Sequence, residues 1–367
     1  MPSHYQQASL KGLFARFLSE QGHALPEHTP LKSPSSLSRF LNRYRWSTRQ
    51  VIRTTSAAVL DQLAVHPVPP NVPIRVLIDL TTLKKTGKFW HLSTPTEDDD
   101  VPEPWVRRLN GKRGLHLVVL YLVIGERHIP WSFRVWHGKG EKSPSQLACK
   151  LLATVPKRLT QGRTVIVQGD TEFGTVAFFD AVRQRRWRAV VGVRNNRLLQ
   201  DGRQLKDLPR YAKRGLQVRR LKDIDYPLTV SWFWLKRADG KRELRFVTSS
   251  HPYADTYLVR LGRKRWAIEG FFKTAKHQFG LHYFGQGTKL GVYRWLMLSF
   301  IAYLLAHWVD LWAWPPVLNW KAISRLTLEK LLPAVCWALL LKHIKRDADI
   351  AAQFGFDIVL KLRPSSA

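Results

Sequence analysis

The chain has 367 residues, of which 45% are hydrophobic and 15 are tryptophan, so wholesale disorder is excluded. Its length predicts a main domain with additions rather than one small core. Lys and Arg total 59 against 27 acidic residues, which gives a formal net charge of +32. This excess predicts a polyanionic partner, either nucleic acid or an anionic membrane, but it names no reaction.

The cysteines and the most apolar segment bear on the choice between those partners. Cys149 and Cys336 lie far apart, which excludes a disulfide framework and Cys-based zinc sites and fits a reducing cytoplasm. Residues 295–314 form an apolar segment that is long enough to cross a bilayer. Because this segment contains His307 and Asp310, which are costly in lipid, we predict a buried helix and no membrane partner.

The first seventy residues are predicted to be a helical, DNA-binding region, 1–70. Apolar residues recur at helix spacing in SSLSRFLNRYRW, and Ser47 is suited to cap a second helix. Arginines between and along these helices, including Arg45 and Arg49, could contact DNA. A helical leader that packs on the main domain explains the pattern equally well. A proline-rich linker follows at 65–73.

Five β-rich runs follow the linker, with one helical segment before the fourth run and another before the fifth. The runs and helices occupy 74–82, 115–136 (two runs joined near Gly125), 145–155 (helix), 164–170, 175–185 (helix) and 187–194. This order, in which three strands are followed by a helix, a strand, a helix and a strand, is that of a ribonuclease-H-like domain. The predicted fold class is therefore α/β with a ribonuclease-H-like core.

The core is predicted to be discontinuous, with residues 71–194 and 255–310 contributing to it. A β-rich insertion, 195–254, separates the two parts and contains Asp239-Gly240 between β-rich runs, which is a strong hairpin signal. Residues 311–367 are predicted to form a helical C-terminal region.

Two acidic residues stand at the ends of predicted strands. Asp79 ends the first strand and Asp170 ends the fourth. In the predicted topology these strands are neighbours, so the two carboxylates would face each other at one edge of the sheet. Hard oxygen ligands of this kind bind the two Mg²⁺ or Mn²⁺ ions used in phosphodiester cleavage. Either Asp alone could instead cap a turn, and Glu172 is an alternative ligand to Asp170.

A third acid stands alone in a basic segment, 258–281, which is predicted to be a single helix. Arg265 precedes Glu269 by four residues and Lys276 follows it by seven, so the three share one face. Lys273 is one turn from Glu269, and a surface ion-pair ladder is the alternative interpretation. A lone acid among bases favours a site where metal and phosphates meet. The predicted buried side comprises Leu261, Trp266, Ile268, Phe272, Ala275 and Phe279.

Three motifs together resemble one family. RWAIEGFFKTAK resembles the Y-x2-R-x3-E-x6-K signature of bacterial insertion-sequence transposases of type four, within the DDE superfamily. Arg265, Glu269 and Lys276 match the signature, and Gly262 occupies the tyrosine position. IDLTTLKKTGKF and VIVQGDTEFG are similar to the segments around the first two catalytic aspartates of this family. The β-rich insertion before the glutamate is a further shared trait.

The resemblance implies a DNA transposase that cuts at the inverted-repeat ends of its element and joins them to target DNA by cut and paste. Asp79, Asp170 and Glu269 would be the catalytic residues and would bind two Mg²⁺ or Mn²⁺ ions. Arg265 and Lys276 would hold phosphates, and we expect Lys273 to contact DNA as well. The implied partners are double-stranded DNA and a second copy in a synaptic homodimer, in the bacterial cytoplasm at the nucleoid.

Two tryptophans of the insertion are further candidates. Trp232 and Trp234 share one face of a predicted strand, and relatives that form hairpin ends stack an extruded base on aromatic residues of this region. A core role is the more common one for a strand tryptophan. Two other functions remain open: a domesticated transposase that binds DNA without chemistry, and a ribonuclease-H-like nuclease without strand transfer.

Overall fold

The computed structural model describes residues 3–19, 31–86, 105–109, 111–208, 214–236, 239–313 and 319–359. By their internal contacts the residues divide into two compact units. The helical unit consists of Met1–Ser47, Lys276–Gln286 and Leu290–Ala367. The sheet unit consists of Thr48–Ala275 and Gly287–Lys289. The four domain ranges predicted from the sequence stay a prediction.

The described residues form eleven α-helices and nine strands. In order they are α1 (His4–Ser19), α2 (Pro34–Asn42), α3 (Thr48–Val65), β1 (Ile74–Lys84), β2 (Val106–Leu109), β3 (Lys112–Ile124), β4 (Arg127–Trp136), α4 (Pro144–Leu152), α5 (Lys157–Thr160), β5 (Val165–Gly169), α6 (Val176–Gln184), β6 (Arg188–Val193), β7 (Arg214–Arg219), β8 (Leu228–Lys236), β9 (Arg242–Ser249), α7 (Asp255–Arg265), α8 (Ala267–His277), α9 (Lys289–Leu311), α10 (Trp320–Leu331) and α11 (Pro333–Gln353).

The strands form one mixed sheet in the order β2-β3-β1-β5-β6-β9-β8-β7, with β4 also paired to β3. Strand β1 runs antiparallel to β3 and parallel to β5, and β5 runs parallel to β6. Helix α4 packs on β3 and β4 and against α6. The order β4-β3-β1-β5-β6 is that of a ribonuclease-H-like core, in agreement with the predicted α/β class.

The β-rich insertion extends this sheet, because β9 pairs with β6. The predicted Asp-Gly hairpin is confirmed: Lys236 pairs with Arg242, and Gly240 has a φ of +78° that favours glycine. Strand β7 was not predicted. Its Leu216 and Val218 are exposed, so pairing with β8 rather than burial of an apolar face holds this strand in the sheet.

Helix α9 is the apolar segment that was predicted to be buried. Within the described residues it is the one helix long and apolar enough to cross a membrane, and 78% of its most apolar window is buried. Trp295 donates a hydrogen bond to the carbonyl of Gly280 at 2.8 Å and packs edge-on against Phe17. Its apolar surface is therefore used to fill the core of the helical unit.

Candidate active site

Asp79 and Asp170 lie at the same level of two neighbouring strands. Asp79 was predicted to end the first strand and instead lies in the middle of β1, because pairing with β3 continues to Lys84, whereas Asp170 directly follows β5. Strands β1 and β5 are parallel, and Leu77 pairs with Gln168. Asp79 and Asp170 each follow this pair by two residues, and alternate residues of a strand point to the same side. The sequence-based prediction that these strands are neighbours is confirmed.

Asp170 is held by the turn that it begins. Its Oδ1 accepts a hydrogen bond from the backbone N–H of Glu172 at 2.9 Å, which caps a short 3-10 helix. A Cβ on Gly192 would lie 3.1 Å from the backbone nitrogen of Thr171, so a glycine there lets this turn pack against β6. The Glu172 carboxylate, the alternative ligand, lies 3.7 Å from a terminal nitrogen of Arg194.

Helix α7 is fixed across the face that carries the aspartates. The Gln168 side-chain amide donates to the carbonyl of Leu261 at 2.6 Å, and Arg75 donates to the carbonyl of Lys264 at 3.1 Å. Sequence reasoning missed both anchors, although a glutamine inside the apolar strand VIVQG was a signal for the first. The contact is completed by a core of Ile166, Val190, Leu258 and Leu261.

The predicted single helix over 258–281 is wrong, because α7 ends at Arg265 and α8 begins at Ala267. The junction residue Trp266 was expected to be buried and is 63% exposed. One side of the junction is tied to the sheet through the α7 carbonyls. On the other side, Phe271 of α8 stacks on Tyr121 of β3 with the ring centroids 4.7 Å apart. Each helix is thus held against the sheet on its own side of the break.

The break brings Arg265 between two of the predicted catalytic acids. One terminal nitrogen lies 2.8 Å from Oδ2 of Asp79, and the other lies 2.9 Å from Oε1 of Glu269. The Arg265 side chain is 19% exposed, that of Asp79 11% and that of Glu269 43%. A single guanidinium therefore joins the strand acid to the helix acid through charge-assisted hydrogen bonds.

The electrostatics of the site favour a cation. The pKa of Asp79 is raised to about 6, chiefly by burial and also by the negative charge of Asp170, while Arg265 lowers it and so opposes both effects. Oδ1 of Asp79 also accepts a hydrogen bond from the backbone N–H of Leu80 at 2.8 Å. The negative charge of Asp170 thus acts on Asp79, and added positive charge would relieve this repulsion.

The donor set fits a divalent metal ion by its chemistry. Asp79 and Asp170 offer the hard carboxylate oxygens that Mg²⁺ and Mn²⁺ prefer. The carboxylate of Glu269 is engaged by Arg265. Among the residues that the structure describes, no group of three or more His, Cys, Asp or Glu side chains is arranged to hold a metal ion.

The two tryptophans of the insertion differ in their surroundings. Trp232 is buried and packs over Gly215 of the neighbouring strand, where any Cβ would collide with the indole ring. Trp234 is 47% exposed. Only Trp234 therefore presents its ring to a partner.

The other basic residues predicted to bind DNA are exposed or half-buried. Arg45 is exposed in the connection between α2 and α3, and Arg49 is exposed in the first turn of α3. Lys273 is exposed on α8, and Lys276 lies in the last turn of that helix. All four stay predictions as DNA contacts.

Three comparisons with known proteins bear on this arrangement. The family model described as "Transposase DDE domain" matches residues 71–305. This range contains the sheet, the insertion and the helices that carry Arg265 and Glu269. A search of curated proteins found no match.

Solved structures include similar folds at low sequence identity. The cryo-EM structure of the piggyBac transposase synaptic complex with hairpin DNA is 10% identical with a TM-score of 0.51, and the match covers 92% of this chain and 73% of that one. The Mos1 transposase paired-end complex with the left transposon end is 14% identical with a TM-score of 0.20, over 52% of this chain and 59% of that one. The first similarity supports the ribonuclease-H-like fold, and the second is too weak to add to it.

Proposed function

The chain belongs to the family defined by the transposase DDE domain, and from this premise we propose that it cuts and joins DNA through Asp79, Asp170 and Glu269. We assign it to the type-four insertion-sequence transposases on the spacing of Arg265, Glu269 and Lys276. In this role it binds the inverted-repeat ends of its own element as a homodimer and moves the element by cut and paste in the bacterial cytoplasm.

One observation carries the proposal. Asp79 and Glu269 are 190 positions apart in the sequence, yet both are bonded to the guanidinium of Arg265. Asp170 lies at the same level of the adjacent strand, and its charge acts on Asp79. A chance surface ion pair would not join an acid of the first strand to an acid of a late helix, with a third acid whose charge acts on the first.

The residues divide the chemistry between them. Divalent metal ions, when bound, activate the attacking oxygen and stabilise the leaving oxygen of a phosphodiester. Asp79 and Asp170 would hold them with hard oxygen donors, and Glu269 would complete the set. Arg265 and Lys276 bind phosphates near the cut, because guanidinium and ammonium groups match phosphate oxygens. The net charge of +32 draws DNA to the protein.

The test is cleavage of DNA duplexes that carry the inverted repeats flanking the gene, in the presence of Mg²⁺. Wild type should nick at the junction of repeat and flank and then join the freed 3′ end to target DNA. Asp79→Ala, Asp170→Ala and Glu269→Ala should each reduce cleavage by a factor of about a thousand or more, since each removes a group that acts in the transition state. Binding to the repeat should remain.

Two carboxylate variants serve as controls. Asp225→Asn removes an exposed acid that pairs with Arg183 away from the site, and it should leave cleavage unchanged. Glu172→Gln tests the alternative ligand and should have little effect. Near-normal Mg²⁺-dependent cleavage by any one of the three alanine variants would remove that residue from the site. Repeat binding without cleavage by wild type would favour the DNA-binding alternative, and cleavage without joining would favour a nuclease.

A further inference from the structure

We propose that Arg265 is an internal cation that competes with divalent metal ions for Asp79 and Glu269, so that the metal site opens only when the guanidinium leaves. The inference rests on the proposed function, because it takes the two carboxylates as metal ligands. In this view Arg265 occupies the two carboxylates before it makes any contact with a DNA phosphate.

The competition follows from which oxygen the arginine contacts. Oδ1 of Asp79 accepts a hydrogen bond from the backbone N–H of Leu80 at 2.8 Å, which occupies one of its lone pairs and makes Oδ2 the better donor to an external cation. Arg265 lies 2.8 Å from this oxygen. Its other terminal nitrogen is 2.9 Å from Oε1 of Glu269. A metal ion bound by both acids needs the electron pairs that the guanidinium now uses.

The bridge is built into the fold and differs from a mobile surface pair. Arg265 is the last residue of α7, and the carbonyls of Leu261 and Lys264 tie that end of the helix to Gln168 and Arg75. An exposed i,i+4 pair contributes little and exchanges freely with solvent. Here one partner, Asp79, is buried and comes from the sheet, so the guanidinium is pre-positioned over the acids.

A phosphate can release the arginine. Guanidinium binds phosphate oxygens with the same two-pronged geometry with which it binds carboxylates. DNA that places a phosphate beside α7 would compete for Arg265 and leave Asp79 and Glu269 to the metal. Metal and DNA would then bind cooperatively, because whichever binds first separates Arg265 from the carboxylates and the second no longer has to do so. Free protein would be protected from loading metal before its DNA is in place.

The experiment measures Mn²⁺ affinity of the full chain without DNA, by the loss of the free-Mn²⁺ electron paramagnetic resonance signal. Arg265→Gln should bind Mn²⁺ about tenfold or more tightly than wild type, which corresponds to about 1.4 kcal/mol. Arg265→Lys keeps the charge but replaces the two-pronged fork, so its affinity should lie between the two. The matched control is Arg263→Gln, which removes the same charge from an exposed position two residues away and should change affinity by less than about twofold.

Equal Mn²⁺ affinity of Arg265→Gln and Arg263→Gln would overturn the inference, as would weaker binding by Arg265→Gln. If Arg265→Gln fails to give the far-ultraviolet circular dichroism spectrum of wild type, Arg265→Lys carries the test, and equality with wild type would count against the proposal. In wild type, adding a repeat-bearing duplex should tighten Mn²⁺ binding, and in Arg265→Gln it should add little.

Asp79→Asn separates this inference from the proposed function. If Asp79→Asn abolishes Mn²⁺ binding while Arg265→Gln leaves it unchanged, the metal site stands and only the competition is wrong. If Asp79→Asn binds Mn²⁺ as wild type does, the assignment of the metal site fails, whatever Arg265 does.

Discussion

Arg294 of α9 provides the sharpest test of the physical account of the fold. This side chain is 3% exposed, and its guanidinium donates three hydrogen bonds to backbone carbonyls. They run to Phe40 at 3.1 Å, Leu41 at 2.9 Å and Trp46 at 3.0 Å. Its central carbon also lies 4.0 Å from the centroid of the Trp46 ring. Phe40 and Leu41 belong to the last turn of α2, where carbonyls lack partners within the helix.

The expected cost of removing this group follows from those bonds. Burial lowers the pKa of Arg294 to about 10, which leaves it charged at neutral pH. Arg294→Met keeps the apolar stem but removes the donor to all three carbonyls. Phe40 still accepts from the indole N–H of Trp46 at 2.8 Å, so the carbonyls of Leu41 and Trp46 are left unmet, and each unmet buried acceptor costs about 1–3 kcal/mol. Loss of the desolvated charge offsets part of this cost, so we expect the free energy of unfolding to fall by about 2–4 kcal/mol. That is a large share of the roughly 5–15 kcal/mol typical of folded domains.

The assay is urea denaturation followed by tryptophan fluorescence and by circular dichroism. Arg294→Lys should lose about half as much stability as Arg294→Met, because an ammonium cannot serve all three carbonyls and stack on Trp46. Arg325→Met is the control: it removes an exposed arginine that pairs with Glu329 on α10, and it should change stability by less than about 0.5 kcal/mol. A loss below about 1 kcal/mol for Arg294→Met, or wild-type stability for Arg294→Lys, would refute the reasoning.

Two further predictions concern the sheet unit. Trp232→Ala should destabilise the protein by about 3–5 kcal/mol in urea denaturation, because its ring is buried. Trp234→Ala should leave stability nearly unchanged but weaken binding of DNA with an extruded base by about 1–3 kcal/mol, and equal behaviour of the two variants would contradict both assignments. Burial and the charge of Arg75 lower the pKa of His128 from 6.5 to about 4. Between these two pH values the unfolded chain binds more protons than the folded chain, so the free energy of unfolding falls as the pH drops through this window. His128→Gln should reduce that acid-induced loss by about 1–2 kcal/mol in denaturation at pH 7 and 4.5, and an unchanged loss would sink the argument.

The sequence predicted the parts of the fold that local pattern determines. The strands of the core were predicted to within a few residues, because continuous β-branched and aromatic runs bounded by turns have few other interpretations. The position of Asp170 directly after β5 followed from the same runs, whereas β1 continues past Asp79 to Lys84. The unpredicted edge strand β7 lacks such a run, since its neighbour β8 supplies the pairing that holds it.

The sequence could not predict that Trp232 is buried and Trp234 exposed, for a similar reason. Both tryptophans share one face of β8 by alternation, and a periodic pattern gives them the same environment. What separates them is Gly215, which lies opposite Trp232 on β7 and makes room for its ring. This pairing joins an unpredicted strand to a predicted one, so no local pattern could reveal it.

The position of Arg265 shows why the active site needed the structure. Its contact with Glu269 is local, and an ion pair at that spacing was foreseen. The contact of Arg265 with Asp79 spans 186 positions in the sequence. It depends on the hydrogen bonds that Gln168 and Arg75 donate to backbone carbonyls near the end of α7. In one unbroken helix, Arg265 and Glu269 would lie on the same face and their relative orientation would be fixed. Because α7 is bonded to the strands and α8 is stacked on Tyr121, the two residues are aimed independently, one by each helix. The polar anchors in the strands thus set the geometry on which both the metal ligands and their internal competitor depend.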